Sequence, residues 1–273
     1  MTVAIDAFGM TDIGKARQKN DDNFLIVEIK KEINVTHSSL SPDTLGDRFG
    51  SRGGHLFVVA DGVGGRPQGD RASGDTVKAV LKYVSGVVGC FETVTAAKEH
   101  EFFEKLEEAV QQVHEALINS PGFNEKNSAT TLTMVLLLWP RAYFVHVGDS
   151  RAYVMRAKRF QQLTRDQTLG DYMQEIGAWT AEQAARSVPG ATLTSAIGGT
   201  NLEPAVGLVD LEPGDGMVIC TDGLVRHVPD TRIADLMLSD ESSESIAKAL
   251  VADALEGGGR DNISVIVFRA LAA

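Results

Sequence analysis

Aspartates at the ends of apolar, β-rich segments are the feature of this sequence best suited to chemistry. Asp61, Asp149 and Asp222 each end such a segment, and Asp261 opens one. Strand ends that are far apart in the sequence can meet at one point in space, so these carboxylates can converge. Converging carboxylates repel one another unless a cation lies between them. The pattern therefore predicts a site for a hard cation with oxygen ligands, such as Mg²⁺, Mn²⁺ or Ca²⁺.

The segment before the second predicted strand extends this set. It carries Arg17, Asp21 and Asp22 close together. An arginine beside a metal site can bind a phosphate through two parallel hydrogen bonds, and a pair of bridged metal ions can activate a water for displacement at phosphorus. Gly62, directly after Asp61, would let the backbone turn sharply and offer its carbonyl oxygen as a further ligand. The predicted chemistry is metal-assisted hydrolysis of a phosphate ester.

Histidine and cysteine do not indicate a zinc site instead. The six histidines lack the clustered spacing of zinc ligands, and His146 alternates with valines in a strand, which indicates a structural side chain. Cys90 and Cys220 lie far apart in the sequence and are expected to be buried, reduced thiols.

Taken one at a time, the charged residues have simpler explanations. An aspartate at a strand end is most often a turn cap, and Asp149 would then only close a hairpin at residues 148–150. Arg17 and Asp21 would be solvated loop charges. Only the joint occurrence of these residues distinguishes a site from a set of turns.

Hydrophobic periodicity predicts an α+β chain in which strands and helices come in separate runs. The run of short strands between 129 and 163 has hairpin spacing and indicates an antiparallel meander. Strands come from both ends and the middle of the chain, so we expect residues 1–273 to form a single domain. The predicted strands are 2–8, 23–29, 55–60, 206–210, 216–221 and 263–269, and the predicted helices are 70–86, 98–119, 231–238 and about 242–255. Ser242 is a candidate N-cap of the last helix.

The composition restricts the partners and the location that we expect. A net charge of −11 argues against binding to nucleic acid or to an anionic membrane. The first residues lack the pattern of a signal peptide, and the longest apolar runs, such as 134–139, are too short to span a bilayer. We therefore expect a cytoplasmic protein, acting as a monomer.

Five motifs occur in order along the chain, and each lies at the end of a predicted strand. They are Arg17-x-x-Asn20-Asp21-Asp22, Asp61-Gly62-Val63-Gly64-Gly65, Gly148-Asp149-Ser150-Arg151, Thr221-Asp222-Gly223 and Asp261-Asn262. Together they resemble the metal-dependent serine/threonine protein phosphatases of the PP2C (PPM) family, bacterial type, from about residue 8 to residue 269. The resemblance implies an α-β-β-α sandwich, in which two antiparallel sheets stack between pairs of helices.

The resemblance also implies a centre of two Mn²⁺ or Mg²⁺ ions. Asp61 would bridge the ions, and the Gly62 carbonyl would bind the first of them. Asp222 and Asp261 would hold the second. Asp149, together with Asp222, would bind a third, weaker ion, as in bacterial members of the family.

The other motif residues would act around this centre. Arg17 would bind the substrate phosphate, Asp22 would orient the attacking water, and Asp21 would lie close to the second ion through a water. Asn262 would support the turn at Asp261. Asp21 stands where the family often has glutamate. Val63 stands where many eukaryotic members carry a histidine as candidate general acid, so the group that protonates the leaving oxygen is not identified.

The implied function is hydrolysis of phosphoserine and phosphothreonine in proteins by direct attack of the water that bridges the two ions. Phosphorylated proteins would be the partners, together with a Ser/Thr kinase. Segment 165–195 falls where such proteins carry a mobile flap, and the stretch 36–54 is a surface loop longer than expected for compact bacterial members. Two alternatives remain open: a non-catalytic phosphoprotein-binding or signalling module of the same fold, and a small-molecule phosphomonoesterase. The presence of all the metal carboxylates favours the enzyme.

Overall fold

The structure, a computed structural model, describes residues 3–30, 53–63, 68–90, 98–124, 128–187 and 189–271. Within these residues the strands form two five-stranded sheets. The strands are β1 (Ile5–Asp12), β2 (Asp22–Ile29), β3 (Gly54–Asp61), β4 (Leu132–Leu138), β5 (Arg141–Val147), β6 (Arg151–Arg156), β7 (Arg159–Gln162), β8 (Ala205–Asp210), β9 (Gly216–Cys220) and β10 (Ile263–Ala270). The first sheet has the order β1-β10-β9-β6-β7 and the second β2-β3-β4-β5-β8, and all neighbours are antiparallel.

The described residues also form seven α-helices. They are α1 (Gly69–Cys90), α2 (Glu99–Ile118), α3 (Leu169–Glu175), α4 (Ala181–Arg186), α5 (Asp222–Val225), α6 (Asp230–Met237) and α7 (Ser243–Glu256). The apolar faces of α1 and α2 share one core with the second sheet, and those of α6 and α7 share another with the first sheet. The α+β sandwich predicted from the sequence is therefore confirmed.

The apolar sequence of strand β3 is explained by the burial of both of its faces. Leu56 and Val58 point into the core beneath α1 and α2, whereas Phe57 and Val59 point into the core between the two sheets. A strand that is buried on both faces has no solvent side on which polar residues could alternate. Between the sheets Phe57 stacks on Phe268 of β10, with 4.3 Å between ring centroids.

The predicted meander over 129–163 is wrong in one respect. Strand β5 belongs to the second sheet and β6 to the first, so residues 148–150 carry the chain from one sheet to the other. Gly148 adopts φ +105, and a Cβ there would lie 2.6 Å from the Thr131 side chain, which explains the glycine at this crossing. Asp149 consequently does not close a hairpin.

Other differences are smaller. Strand β1 runs from Ile5 to Asp12 instead of over 2–8, and the short helix α5 was not predicted. Ser242 caps α7 as predicted, because its Oγ accepts a hydrogen bond from the backbone N–H of Ser245. Most of the predicted loop 36–54, the glycines at 64 and 65 and the thiol of Cys90 lie outside the described part of the chain. Among the described helices, none is both long and apolar enough to cross a bilayer.

Candidate metal centre

The ends of strands from both sheets bring five aspartates to one edge of the sandwich. Asp22 and Asp61 face each other in register at the end of the β2–β3 pair. Asp149 lies on the crossing between β5 and β6, and Asp222 follows β9. Asp261 precedes β10, which pairs with β9. We refer to these five residues as the carboxylate cluster.

Two glycines allow the backbone segments around the cluster to approach closely. A Cβ on Gly62 would lie 2.4 Å from the carbonyl oxygen of Gly69, so β3 ends in contact with the first residue of α1. A Cβ on Gly223 would lie 1.9 Å from the carbonyl oxygen of Asn262. Any larger residue would therefore push apart the segments that carry Asp222 and Asp261.

Burial and mutual repulsion both disfavour negative charge in the cluster. Burial raises the pKa of Asp61 well above its ordinary value, and the charges of Asp22, Asp222 and Asp149 raise it further. Burial also raises the pKa of Asp22 to about 7, although a hydrogen bond from Thr221 opposes the shift. Burial and then the charge of Asp222 raise the pKa of Asp149 in the same way. Such carboxylates are stabilised in the charged form by a nearby cation.

Two carboxylates of the cluster each have one fixed oxygen and one oxygen without a partner. The Thr221 hydroxyl donates to Asp22 Oδ2 at 2.8 Å, and Arg226 Nη2 forms an ion pair with Asp222 Oδ2. Among the described residues, Asp22 Oδ1 and Asp222 Oδ1 are buried and have no hydrogen-bond partner. Buried polar atoms without a partner are uncommon in proteins, and anionic oxygens of this kind fit the ligand preference of a hard cation.

Two arginines contribute positive charge at the cluster. Arg17 Nη2 lies 2.7 Å from Asp261 Oδ2, and Arg226 Nη1 lies 3.5 Å from the same oxygen. Within the part of the chain that the structure describes, no three His, Cys, Asp or Glu side chains are already arranged as the ligand shell of a metal ion. Sequence reasoning missed Arg226. Its spacing of four residues from Asp222, which brings side chains together on a helix, is the signal that could have identified it.

Asp21, which directly precedes β2, lies against the first residues of α1. Its Oδ1 accepts a hydrogen bond from the backbone N–H of Asp70 at 3.1 Å. Its own backbone N–H donates to Asn262 Oδ1 at 2.8 Å, and its carbonyl accepts from Ser73 Oγ at 2.6 Å. Burial raises the pKa of Asp21, although the positive charge of Lys19 opposes this shift. Its position beside a second ion, bridged by water, therefore stays a prediction.

Asn262 has a larger part than the sequence suggested. We expected it to support the turn at Asp261, and its backbone N–H does donate to Asp261 Oδ1 at 2.9 Å. Its side-chain amide also donates to the carbonyls of Ile13 and Lys19, both at 2.9 Å. Asn262 thereby holds the loop that carries Arg17 against the start of β10.

Two cavities border the predicted motifs. A cavity of about 540 Å³ is lined by Arg17, Arg226, Arg260 and Asp261, among others. A second cavity, of about 340 Å³, is lined by Val63, by Ala129 and by residues 191–195 of the segment predicted to be a flap, among others. The first cavity offers guanidinium groups to an anionic ligand, and the second brings the segment 165–195 next to the Asp61 motif.

Comparison with known proteins agrees with this arrangement. A family model described as protein phosphatase 2C matches residues 38–256. The chain belongs to the protein phosphatase 2C family. The family predicted from the five motifs is therefore confirmed.

Relatives within the 2C family cover most of this chain. The serine/threonine protein phosphatase PstP of Mycobacterium tuberculosis is 30% identical over 217 residues, which are 79% of this chain and 40% of that relative. This chain therefore spans less than half of the length of PstP. The protein phosphatase PhpP of Streptococcus pneumoniae is 29% identical over 260 residues, 94% of each chain. A crystal structure of the catalytic domain of PstP in complex with 2 manganese ions superposes with a TM-score of 0.73 at 26% identity, covering 99% of this chain and 100% of that one.

Proposed function

We propose that this member of the 2C family is a metal-dependent phosphatase that hydrolyses phosphoserine and phosphothreonine in proteins. The observation that carries the proposal is the carboxylate cluster, in which Asp22 Oδ1 and Asp222 Oδ1 are buried without a partner. Family membership and a relative named as a serine/threonine protein phosphatase support the same activity. The charges and the donor set are those expected for metal-assisted phosphoryl transfer.

The donor set fits two Mn²⁺ or Mg²⁺ ions. In this proposal Asp61 and the Gly62 carbonyl would hold the first ion, and Asp61, Asp222 and Asp261 would hold the second. The two manganese ions named for the PstP catalytic domain support this count. When bound, two such ions would activate a water for attack and neutralise charge on the phosphoryl oxygens.

The side chains of the protein orient the reactants in this proposal. Arg17 binds the phosphate, because its guanidinium lies at the mouth of the cluster with about a third of the side chain exposed. Thr221 fixes one oxygen of Asp22 and thereby leaves Asp22 Oδ1 in place to accept a hydrogen bond from the attacking water. Asp21 acts less directly, by anchoring the start of α1 beside Gly62.

The 165–195 segment is our candidate for selecting the protein substrate. It contributes residues 191–195 to the lining of the cavity that Val63 also lines. The side chain of Val63 is aliphatic and cannot act as a general acid, so another group must protonate the leaving oxygen. Phosphoproteins, and a Ser/Thr kinase acting on the same proteins, are the partners that we propose. The monomeric state and the cytoplasmic location expected from the sequence stay predictions.

Phosphate release from a phosphothreonine peptide tests this proposal. We expect release with Mn²⁺ and none with EDTA, and activity that survives chelation would contradict the metal mechanism. A small phosphomonoester assayed in parallel separates the alternatives: a strong preference for it over the peptide would favour a small-molecule phosphatase. Binding of the peptide without release of phosphate would favour a non-catalytic module.

Substitution of Arg17 tests the phosphate-binding assignment, and Arg232 provides a matched control. Arg232 also pairs with an aspartate, since its Nε lies 2.7 Å from Asp253 Oδ2, but it lies on α6 among exposed side chains. We expect Arg17→Ala to lower kcat/KM at least about tenfold, because a charge-assisted phosphate contact is lost. Arg232→Ala should leave kcat/KM unchanged. Equal effects of both substitutions would refute the role of Arg17.

A further inference from the structure

Arg226 conflicts with the third, weaker metal ion that the family resemblance implies. That ion would be shared by Asp149 and Asp222. Arg226 Nη2 instead contacts Asp222 Oδ2 directly, and its Nη1 lies 3.5 Å from Asp261 Oδ2. The donor set at this position therefore contains a guanidinium beside the carboxylates, which does not fit a third divalent cation.

The local helix geometry holds Arg226 in this position. Asp222 is the first residue of α5, and the backbone N–H of Arg226 donates to the Asp222 carbonyl at 2.9 Å. One helical turn thus places the arginine side chain over the carboxylate that precedes it by four residues. Gly223, which no larger residue can replace without displacing Asn262, fixes the same turn against β10.

The two oxygens of Asp222 have different surroundings. Oδ1 is buried and lacks a partner among the described residues, so it is available to one of the two main ions. Oδ2 is occupied by Arg226. A third ion would need Oδ2 as well as Asp149, and it would have to displace the guanidinium.

Arg226 carries a permanent positive charge next to the carboxylate cluster. Its two terminal nitrogens lie against Asp222 and Asp261, two of the five carboxylates of the cluster. Arginine does not deprotonate in proteins, so its positive charge persists at every working pH. A divalent cation at the same place would be repelled by it.

We propose that Arg226 is a built-in replacement for the third cation, so that this phosphatase binds two ions and neutralises Asp222 Oδ2 with its own side chain. The inference rests on the two-ion centre of the proposed function. It predicts a property of the protein that can be measured without turnover, namely the number of Mn²⁺ ions bound at saturation.

Equilibrium dialysis with Mn²⁺ followed by metal analysis gives this number for the full chain. We expect two ions in the wild type and three in Arg226→Asp, where a carboxylate replaces the guanidinium. The control Arg232→Asp makes the same charge change on α6 and should stay at two. A wild type that binds three ions, or an Arg226→Asp protein that folds and stays at two, would overturn the proposal while leaving the proposed function intact. A wild type that binds no Mn²⁺ would overturn both.

Asp149 provides a second test that does not depend on the folding of Arg226→Asp. If Arg226 takes the place of the third ion, Asp149→Asn in the wild-type background leaves the count at two. In the Arg226→Asp background the same substitution should remove the gained ion. Loss of an ion from the Asp149→Asn single variant would contradict the proposal, because Asp149 would then be a metal ligand in the wild type.

Discussion

Two buried polar groups of residues meet at the crossing between the sheets, and they are built in opposite ways. On one side is the carboxylate cluster. On the other is a set that we call the crossover network, which consists of Thr131, Thr133, His146, Ser150, Arg151 and Asp166. The network pairs hydrogen-bond donors with acceptors and positive with negative charge. The cluster gathers like charges and leaves Asp22 Oδ1 and Asp222 Oδ1 without partners among the described residues.

The crossover network is satisfied throughout by short contacts. His146 Nδ1 and Thr133 Oγ1 are 2.8 Å apart, and His146 Nε2 lies 2.9 Å from the Arg165 carbonyl. Thr131 and Ser150 share a hydrogen bond of 2.7 Å between their hydroxyls. The predicted structural role of His146 is thereby confirmed.

Arg151 and Asp166 complete the network. Arg151 Nη2 and Nε donate to the two carboxylate oxygens of Asp166 at 2.7 Å and 2.8 Å. The contrast between the two regions teaches that burial of an aspartate does not by itself mark a functional site. Asp166 and Asp222 are both largely buried, but only Asp222 lies among other carboxylates. We infer that the network stabilises the fold and that the cluster is kept for its chemistry, at a cost in stability.

Asp61→Asn should have the largest effect on activity. It removes the carboxylate that is proposed to bridge both ions, so we expect kcat to fall about 10³-fold, which corresponds to about 4 kcal/mol of transition-state stabilisation. Steady-state phosphate release with saturating Mn²⁺ measures this. If kcat of Asp61→Asn equalled that of the wild type, the cluster would not be catalytic and would not differ in function from the crossover network.

Asp166→Ala should instead act on stability. It leaves the Arg151 charge largely buried without its carboxylate, which costs about 3 kcal/mol of the free energy of unfolding. Urea denaturation measures the loss, and kcat of the folded fraction should stay close to that of the wild type. If turnover fell as far as in Asp61→Asn, the network would belong to the catalytic machinery.

The pH dependence of stability should report His146. Burial lowers its pKa to about 4 from an ordinary value near 6.5, so the unfolded chain takes up a proton at a higher pH than the folded chain. The contribution of neutral His146 is fully present above pH 6.5 and is lost as the pH falls towards 4. We expect the wild type to lose about 2 to 3 kcal/mol more than His146→Gln over this range. If the free energy of unfolding changed with pH in the same way in both proteins, protonation of His146 would not contribute to the pH dependence.

The smallest predicted effect has the opposite sign. Because burial and neighbouring carboxylates raise the pKa of Asp61 well above its ordinary value, this side chain destabilises the fold at every pH above that ordinary value. Asp61→Asn should therefore stabilise the protein by about 1 kcal/mol in EDTA at pH 7.5. Thermal unfolding in EDTA measures the shift. A destabilised variant would mean that repulsion within the cluster is already compensated.

Much of the fold could be predicted from local sequence. Strand and helix positions followed from periodicity, because each element buries a regular face, and the Ser242 cap followed from its side-chain chemistry. The exchange of sheets at residues 148–150 could not be predicted. A tight turn between two apolar strands has the same local pattern whether the strands pair with each other or join different sheets.

The candidate site could be predicted as a set of residues but not as an arrangement. Asp22 and Asp61 stood out because they lie at strand ends. The contact of Asp21 with the start of α1 depends on how β2 packs on that helix, and the position of Arg226 depends on the short helix α5. Both are set by tertiary packing, which the sequence pattern does not report.

The central claim is that the carboxylate cluster holds metal ions. Anomalous diffraction from crystals of the protein grown with Mn²⁺ tests it most directly. We predict two manganese peaks within the cluster, both in contact with the Asp61 carboxylate and one of them with Asp222 Oδ1. A map in which the cluster contains no peak, with Arg17 and Arg226 still paired to Asp261 and Asp222, would contradict the account.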